Sequence, residues 1–365
     1  MPEQSLALPR FGRLAVYDVP NGPFRLAEYL LRAPAADEVL VHVRMSTICR
    51  SDIHSYQGHR PSPCPGLLGH EIVGTIAALG SSVTRDLREQ PLAIGDRITW
   101  SEYFVPGRNY YREVLDLPQK SPGVDKYGHM SADTPPHHHG GFAEYCYIRP
   151  DSWILRLPDV LSDEEATPIN CGVATMCAAV EAAEIRLGDT VIIQGLGLLG
   201  VYGAALAKAR GASRVIGIDG VAARRELALR FGVNVAVDPE NEAKNELAAL
   251  AGQADVVIEV CGDPAVIPAG MDMLRIGGRY VLAGVVNPDA MVTLDANRIV
   301  RKYLTLTGVH NYHPRHLIQA LEFVVSNRQR YPFHDLVDGK YRLAEIGVAM
   351  ADAASRRVLR AAIIP

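Results

Sequence analysis

The chain has 365 residues, 48% of them hydrophobic and 21% charged, with a formal net charge of −4. That is an ordinary globular balance, long enough for two domains, and without a basic block or charge run it argues against a nucleic-acid partner and a disordered tail. The six cysteines have no regular spacing and are too few for a disulfide scaffold, so a reducing, cytoplasmic setting is expected.

The opening "MPEQSLALPRFG" lacks a basic start followed by an apolar stretch, so no signal peptide is expected. Up to about residue 150 the chain reads as short strands broken by Gly and Pro. "EVLVHVRMS" (38–46) alternates well, and "HEIVGTIAALG" (70–80), "GDRITW" (95–100) and "GGFAEYCYI" (140–148) follow as strand units. Helical periodicity is scarce here, which predicts an irregular antiparallel β-structure. The character changes near 163, where "DEEATPINCGVATMCAAVEAAEI" shows an acidic cap and helical apolar spacing. Strands and helices then alternate: "TVIIQG", "LLGVYGAALAKARG", "RVIGID", "VAARRELALRFG", "VNVAVD", "ADVVIEVCG" and "RYVLAGVV". That alternation predicts a doubly wound parallel sheet. Residues 190–207 have nearly the length and apolarity of a membrane span. Their four glycines, in a phosphate-loop pattern, predict otherwise. A helix "PRHLIQALEFVVSN" and a closing strand in "RRVLRAAIIP" are expected to return to the first domain.

"VIIQGLGLLG" places Gly195, Gly197 and Gly200 in a G-x-G-x-x-G pattern that follows a strand and opens a helix, and Asp219 closes the next strand. Those are the contextual demands of a dinucleotide site. The first glycine permits the tight turn, the second lets a pyrophosphate approach the backbone, and the third lets helix pack on strand. The helix N-terminus at Leu198 and Leu199 then offers N–H groups to the phosphates. Asp219 would accept hydrogen bonds from ribose hydroxyls and repel a 2′-phosphate, which favours NAD over NADP. Arg224 and Arg225, just downstream, weigh the other way, since an arginine there can grip a phosphate.

"CRSDIHSYQGHRPSPCPGLLGHE" (49–71) crowds cysteines, histidines and acids into one segment. Catalytic zinc uses three protein ligands and keeps a position open. Cys49 and His70 sit beside Asp52 and Glu71, and Cys171 could supply a third ligand. On spacing alone, buried cysteines and a packed histidine explain these residues equally well.

"CRSDIH", "GLLGHEIVGTI", "GDRITW", "GGFAEYCYI", "NCGVAT" and "GLGLLG", in this order, resemble the zinc-dependent alcohol dehydrogenases of the medium-chain dehydrogenase/reductase superfamily. The resemblance spans essentially the whole chain. It implies an α/β architecture: a GroES-like, β-rich catalytic domain (1–171 and 310–365) and a Rossmann domain (172–309). It makes Cys49, His70 and Cys171 the ligands of a catalytic zinc at the interdomain cleft, Glu71 an acid able to approach the metal, and Asp52 an orienting residue for a ligand histidine. Ser51 and His54 match a proton relay, Arg50 and Arg360 phosphate contacts, and Thr175 a nicotinamide neighbour. Two thiolates and a neutral imidazole cancel the 2+ charge, so a bound alcohol loses its proton readily, and hydride transfer to NAD follows. Ser51 would take that proton and His54 carry it to water.

Relatives with a second, structural zinc hold it by four cysteines in C-x2-C-x2-C-x7-C spacing. Here the aligned positions are Gly107, Tyr110, Glu113 and Ser121, so one zinc per chain is expected, with Tyr103, Phe104, Tyr110 and Tyr111 packing the lobe. His137, His138 and His139 with His129 offer a replacement site in principle, and a solvated loop is the simpler expectation.

"LPQK", "YGH" and "GVHNYHPRH" look most like a branch of the superfamily associated with phosphonate catabolism. His59, Arg60 and Glu102 fall where relatives line the substrate pocket. Arginine there suits a phosphonate or carboxylate, and arginine with glutamate suits a zwitterion. Two other readings are a zinc-free NAD(P)H reductase of enones or imines, opposed by the thiolate pair, and a non-enzymatic dinucleotide-binding scaffold, opposed by the relay. The resemblance further implies a small alcohol, aldehyde or ketone as partner, no membrane or nucleic acid, and a homodimer or homotetramer.

Overall fold

The structure is a computed structural model and describes residues 8–240, 249–286, 288 and 290–365. Residues 1–7, on which the expectation of no signal peptide largely rests, lie outside that set. The chain divides into two compact units: Met1–Cys171 with His313–Ser326 and Phe333–Pro365, and Gly172–Tyr312 with Asn327–Pro332.

The first unit is built on a seven-stranded sheet. Its path runs Gly339–Arg342, Ala361–Ile364, Val39–Thr47, Glu71–Leu79, Arg97–Trp100, Ile154–Arg156, and Tyr145–Ile148 also pairs with Val39–Thr47. All pairings in it are antiparallel except that between Gly339–Arg342 and Ala361–Ile364. The strand Val39–Thr47 turns His42 and Arg44 outward while its apolar residues are buried, the period-2 pattern of a half-buried strand. Val41, Val43, Ile72, Ile76, Ile98 and Trp100 form one face's core. Ile48, Ile53, Leu68, Phe142 and Ile363 belong to a second cluster.

The second unit holds a six-stranded parallel sheet in the order Val235–Val237, Arg214–Ile218, Thr190–Gln194, Ala254–Glu259, Leu274–Leu282, Thr305–Gly308. Chain order therefore reads 3-2-1-4-5-6, the doubly wound Rossmann arrangement, whose ligand crevice opens at the carboxyl ends beside the first and fourth strands. Residues 190–207 split into the strand Thr190–Gln194 and the start of the helix Leu198–Ala209. No helix among the described residues is long and apolar enough to cross a membrane. Residues 327–332 group with this unit, and Tyr331 stacks on Phe231 with centroids 5.8 Å apart.

Two expectations are corrected. Tyr103 and Phe104 are buried, but Tyr110 and Tyr111 are 60% and 40% exposed. The short helix Tyr110–Glu113 is tied down by its polar residues instead. Arg108 pairs with Glu113, Arg112 with Asp151, and the Arg112 guanidinium lies over Trp153. The histidine run is no solvated loop either: His138 and His139 are fully buried, and His137 stacks on Tyr29 at 4.2 Å. No metal-like group among the described residues contains any of the three. His139 Nε2 faces the Thr134 carbonyl at 3.1 Å and His137 Nδ1 the Ala132 carbonyl at 2.9 Å.

Candidate metal centre and dinucleotide loop

Four residues distant in sequence meet in the first unit. Cys49 ends the strand-to-helix turn before the helix Arg50–Tyr56, and His70 precedes the strand that Glu71 opens. Cys171 follows the turn Thr167–Asn170. Asn170 fastens that turn, donating from Nδ2 to the carbonyls of His70 (2.9 Å) and Trp100 (2.8 Å). The potential ligand atoms of Cys49, His70, Glu71 and Cys171 all lie within 4.8 Å of one another.

Asp52 fixes the imidazole. Its carboxylate accepts from the backbone N–H groups of Cys49 (2.8 Å) and Gly69 (3.0 Å), and its Oδ1 lies 3.2 Å from His70 Nδ1. Nε2 is thereby turned toward the thiols, with Cys171 Sγ at 3.5 Å and Ser51 Oγ at 3.4 Å. A second group, Asp52, His70 and His129, contains no thiol, and its acid is already engaged by His70 Nδ1.

The ionisable groups of the cluster shift one another strongly. Cys49 is held well below the usual thiol range, first by a hydrogen bond from Cys171 and then by His70 and Arg360. Cys171 is correspondingly pushed up. For His70, burial opposes the proton, but Asp52 outweighs it and raises the group to about 10. Burial lifts Glu71 to about 7 despite the nearby Arg360. Glu71 Oε2 accepts from Thr47 Oγ1 at 2.5 Å, while Oε1 is buried with no hydrogen-bond partner among the described residues. An orphaned carboxylate oxygen beside two thiols and an imidazole is the donor set of a zinc site.

The neighbours are placed as follows. Ser51 and His54 are three apart on one helix, hence on one face. His54 Nδ1 lies 3.5 Å from His59 Nδ1, and burial followed by the charge of Arg50 lowers its proton affinity. Arg60 is half-buried, and its backbone N–H reaches the His54 carbonyl at 3.3 Å. Arg50 is exposed. Arg360 is buried, donating to the Ile48 carbonyl at 2.7 Å and facing Glu71 at 3.5 Å. Glu102 is 1% exposed, with Oε2 2.7 Å from Lys126 Nζ and 3.7 Å from His70 Nε2. Lys126 and Asn170 are constituents of this region that no spacing in the sequence announces, and His129, expected beside the histidine run, lies here instead, its ring centroid 5.3 Å from that of His70.

In the second unit, Gly195 has φ +98°, a left-handed conformation that favours glycine. A Cβ on Gly200 would lie 1.9 Å from the Gly195 carbonyl oxygen, whereas one on Gly197 would meet only Arg224, at 4.0 Å. The middle glycine thus faces open space at the N-terminus of the helix Leu198–Ala209, with Leu198 buried and Leu199 half-buried. Asp219 accepts from the backbone N–H groups of Leu196 and Val221, both at 2.8 Å, and Arg224 lies 3.7 Å from it. Arg225 donates to the Asp219 carbonyl and pairs with Asp238. Thr175 is half-buried on the helix Gly172–Ala182.

Known proteins match both units. Residues 35–159 match the family model described as alcohol dehydrogenase GroES-like domain, and residues 198–326 that of zinc-binding dehydrogenase. A Mycobacterium tuberculosis protein named "probable alcohol dehydrogenase" is 32% identical over 356 residues, covering 92% of this chain and 94% of its own. A sorbitol dehydrogenase from Halalkalibacterium halodurans is 28% identical, covering 94% and 96%. The crystal structure of an alcohol dehydrogenase from Thermotoga maritima superposes with a TM-score of 0.91 at 27% identity, covering 97% and 99%. The chain belongs to the zinc-type alcohol dehydrogenases of the medium-chain dehydrogenase/reductase superfamily, and it is an oxidoreductase of that type.

Proposed function

We propose that this oxidoreductase is a dehydrogenase with one catalytic zinc per chain, held by Cys49, His70 and Cys171, that transfers a hydride between an alcohol and NAD. The observation that carries the reading is the convergence of two thiols and one imidazole, with the Asp52 carboxylate fixing which ring nitrogen faces them. When bound, zinc supplies Lewis acidity to the substrate oxygen and NAD a hydride acceptor.

This chain's own groups do the rest. Ser51 Oγ takes the hydroxyl proton, and the His54 imidazole, kept neutral near pH 7 by its lowered proton affinity, accepts it onward. Glu71, partnered by Arg360, is the acid able to approach the metal. Asp219 binds the ribose hydroxyls in exchange for its loop N–H groups. Gly195, Gly197 and Gly200, with Leu198 and Leu199, seat the pyrophosphate. Arg50, Thr175 and, beyond its pairing with Glu71, Arg360 complete the proposed cofactor contacts. Arg224 sits near enough to Asp219 that NADP is the second reading.

The substrate is proposed to carry a phosphonate or carboxylate met by Arg60, with His59 beside it. The enzyme is proposed to be cytoplasmic and a homodimer or homotetramer. The deciding experiment is removal and return of zinc during an alcohol and aldehyde screen with NAD(H) and NADP(H). Turnover lost to a strong chelator and regained with zinc supports the reading. Turnover of enones indifferent to chelation points to the zinc-free reductase, and a protein inert toward every substrate to the scaffold.

A further inference from the structure

Glu102 stands closer to the metal donors than a substrate-pocket position requires. Its Oε2 lies 3.7 Å from His70 Nε2. Bonds of about 2.0–2.3 Å at tetrahedral angles separate ligand atoms by roughly 3.3–3.8 Å. Cys171 Sγ, at 3.5 Å from Nε2, meets that spacing to His70, and so does Glu102 Oε2, although Glu102 is not among the donors that all lie within 4.8 Å of one another. Two buried carboxylates therefore flank the donor set. Each has its own cation: Arg360 faces Glu71 at 3.5 Å, and Lys126 grips Glu102 at 2.7 Å. A third anionic ligand would leave the centre negative and close the position an alcohol must enter. Lys126 is 21% exposed, while Glu102 is sealed from solvent, so the lysine is the only one of the pair that water relieves.

We propose that Lys126 is a positioning residue that holds Glu102 off the metal and so keeps the fourth coordination position open. The inference rests on the zinc reading above. Without the ammonium, Glu102 keeps a buried negative charge beside the metal. The carboxylate then occupies the open position, zinc is retained more firmly, and alcohol is shut out.

The zinc-loaded parent, Lys126→Met, Glu102→Gln and the double variant are compared by zinc transfer to a chromophoric chelator. Their cobalt(II)-substituted forms are titrated with imidazole and followed by visible absorption. Lys126→Met is expected to release zinc about tenfold more slowly, to lose the imidazole response and to lose turnover, and the double variant to regain the parental release rate and imidazole response. Glu102→Gln alone is expected to keep the parental release rate. A Lys126→Met protein with parental release and imidazole response overturns the inference, as does a double variant that keeps the single variant's slow release and lost imidazole response. Release about tenfold faster from Glu102→Gln also overturns it, because Glu102 would then be a ligand already. A parent that takes up no zinc sinks the proposed function as well, whereas a parent that binds zinc and oxidises alcohols beside an unaltered Lys126→Met sinks this inference alone.

Discussion

Asp52 Oδ1 lies 3.2 Å from His70 Nδ1, with both side chains fully buried. The same carboxylate receives the N–H groups of Cys49 and Gly69, so one acid sets the imidazole's orientation and also fixes the backbone beside two proposed ligands. Asp52→Asn puts an amide where a carboxylate accepted three bonds. Zinc loss to a chelator should accelerate about 10- to 100-fold, the usual cost of removing such a supporting contact, with turnover falling in step. An unchanged release rate would mean that Asp52 serves the fold only.

Metal content is the second expectation. Gly107, Tyr110, Glu113 and Ser121 carry no thiol, and their lobe is tied by Arg108–Glu113 and Arg112–Asp151. Elemental analysis of the purified chain should return one zinc. Cys171→Ser should return close to none and lose measurable turnover, and two tightly held zincs in the parent would refute the assignment.

Cofactor choice is proposed to turn on Asp219. Leu196 and Val221 donate to different oxygens of Asp219, so Asp219→Asn keeps an acceptor for one of them and removes the charge that repels a 2′-phosphate. The NADP-to-NAD ratio of kcat/KM should rise roughly 10- to 100-fold, since a hydrogen bond to a charged group is worth about 1.5–3 kcal/mol. Adding Arg224→Ala should reverse part of the gain. A ratio indifferent to both changes would remove Asp219 from cofactor selection.

Substrate charge is the fourth expectation. Arg60→Ala should raise KM about tenfold or more for alcohols bearing a carboxylate or phosphonate, the worth of one charge-assisted pair, and leave neutral alcohols nearly untouched. Equal losses on both classes would assign Arg60 a structural task.

Burial lowers both His138 and His139 from 6.5 to about 4. Their folded values lie below the unfolded one, so between pH 6.5 and about 4 the unfolded chain binds more protons. Stability from this pair is therefore complete above pH 6.5 and falls as pH drops toward 4, by at most ~1.4 kcal/mol per pH unit for each ring. Thermal melts from pH 4 to 7 on the parent and on His138→Gln should show a shallower acid slope in the variant. Parallel slopes would contradict the assignment.

What the sequence made legible depended on how local each constraint is. The dinucleotide loop was readable because a turn, a close approach and a helix–strand contact impose glycines at fixed short offsets, and Gly195 and Gly200 show two of those constraints as a positive φ and a forbidden Cβ. Alternating strands such as Val39–Thr47 were readable for the same reason. The proposed metal donors were not, because Cys49, His70 and Cys171 converge only through the sheet, and it took a family resemblance to join them. Lys126 had no signal at all, since an ordinary lysine on the two-residue strand Asp125–Lys126 becomes notable only once Glu102 is beside it. The histidine triplet misled because three polar rings in a row suggest solvent, while backbone carbonyls and the Tyr29 ring gave them an interior.

The lobe around residues 107–126 has a further consequence. A cysteine cage would make it vulnerable to oxidants and metal scavengers. Fastened by guanidinium–carboxylate pairs and an arginine lying on Trp153, it is exposed to a different hazard: concentrated salt, which screens such pairs. On the proposed reading of a single catalytic zinc, starvation for that ion and loss of this lobe's architecture become separate events, so the emptied protein should remain a ready vessel for the next ion.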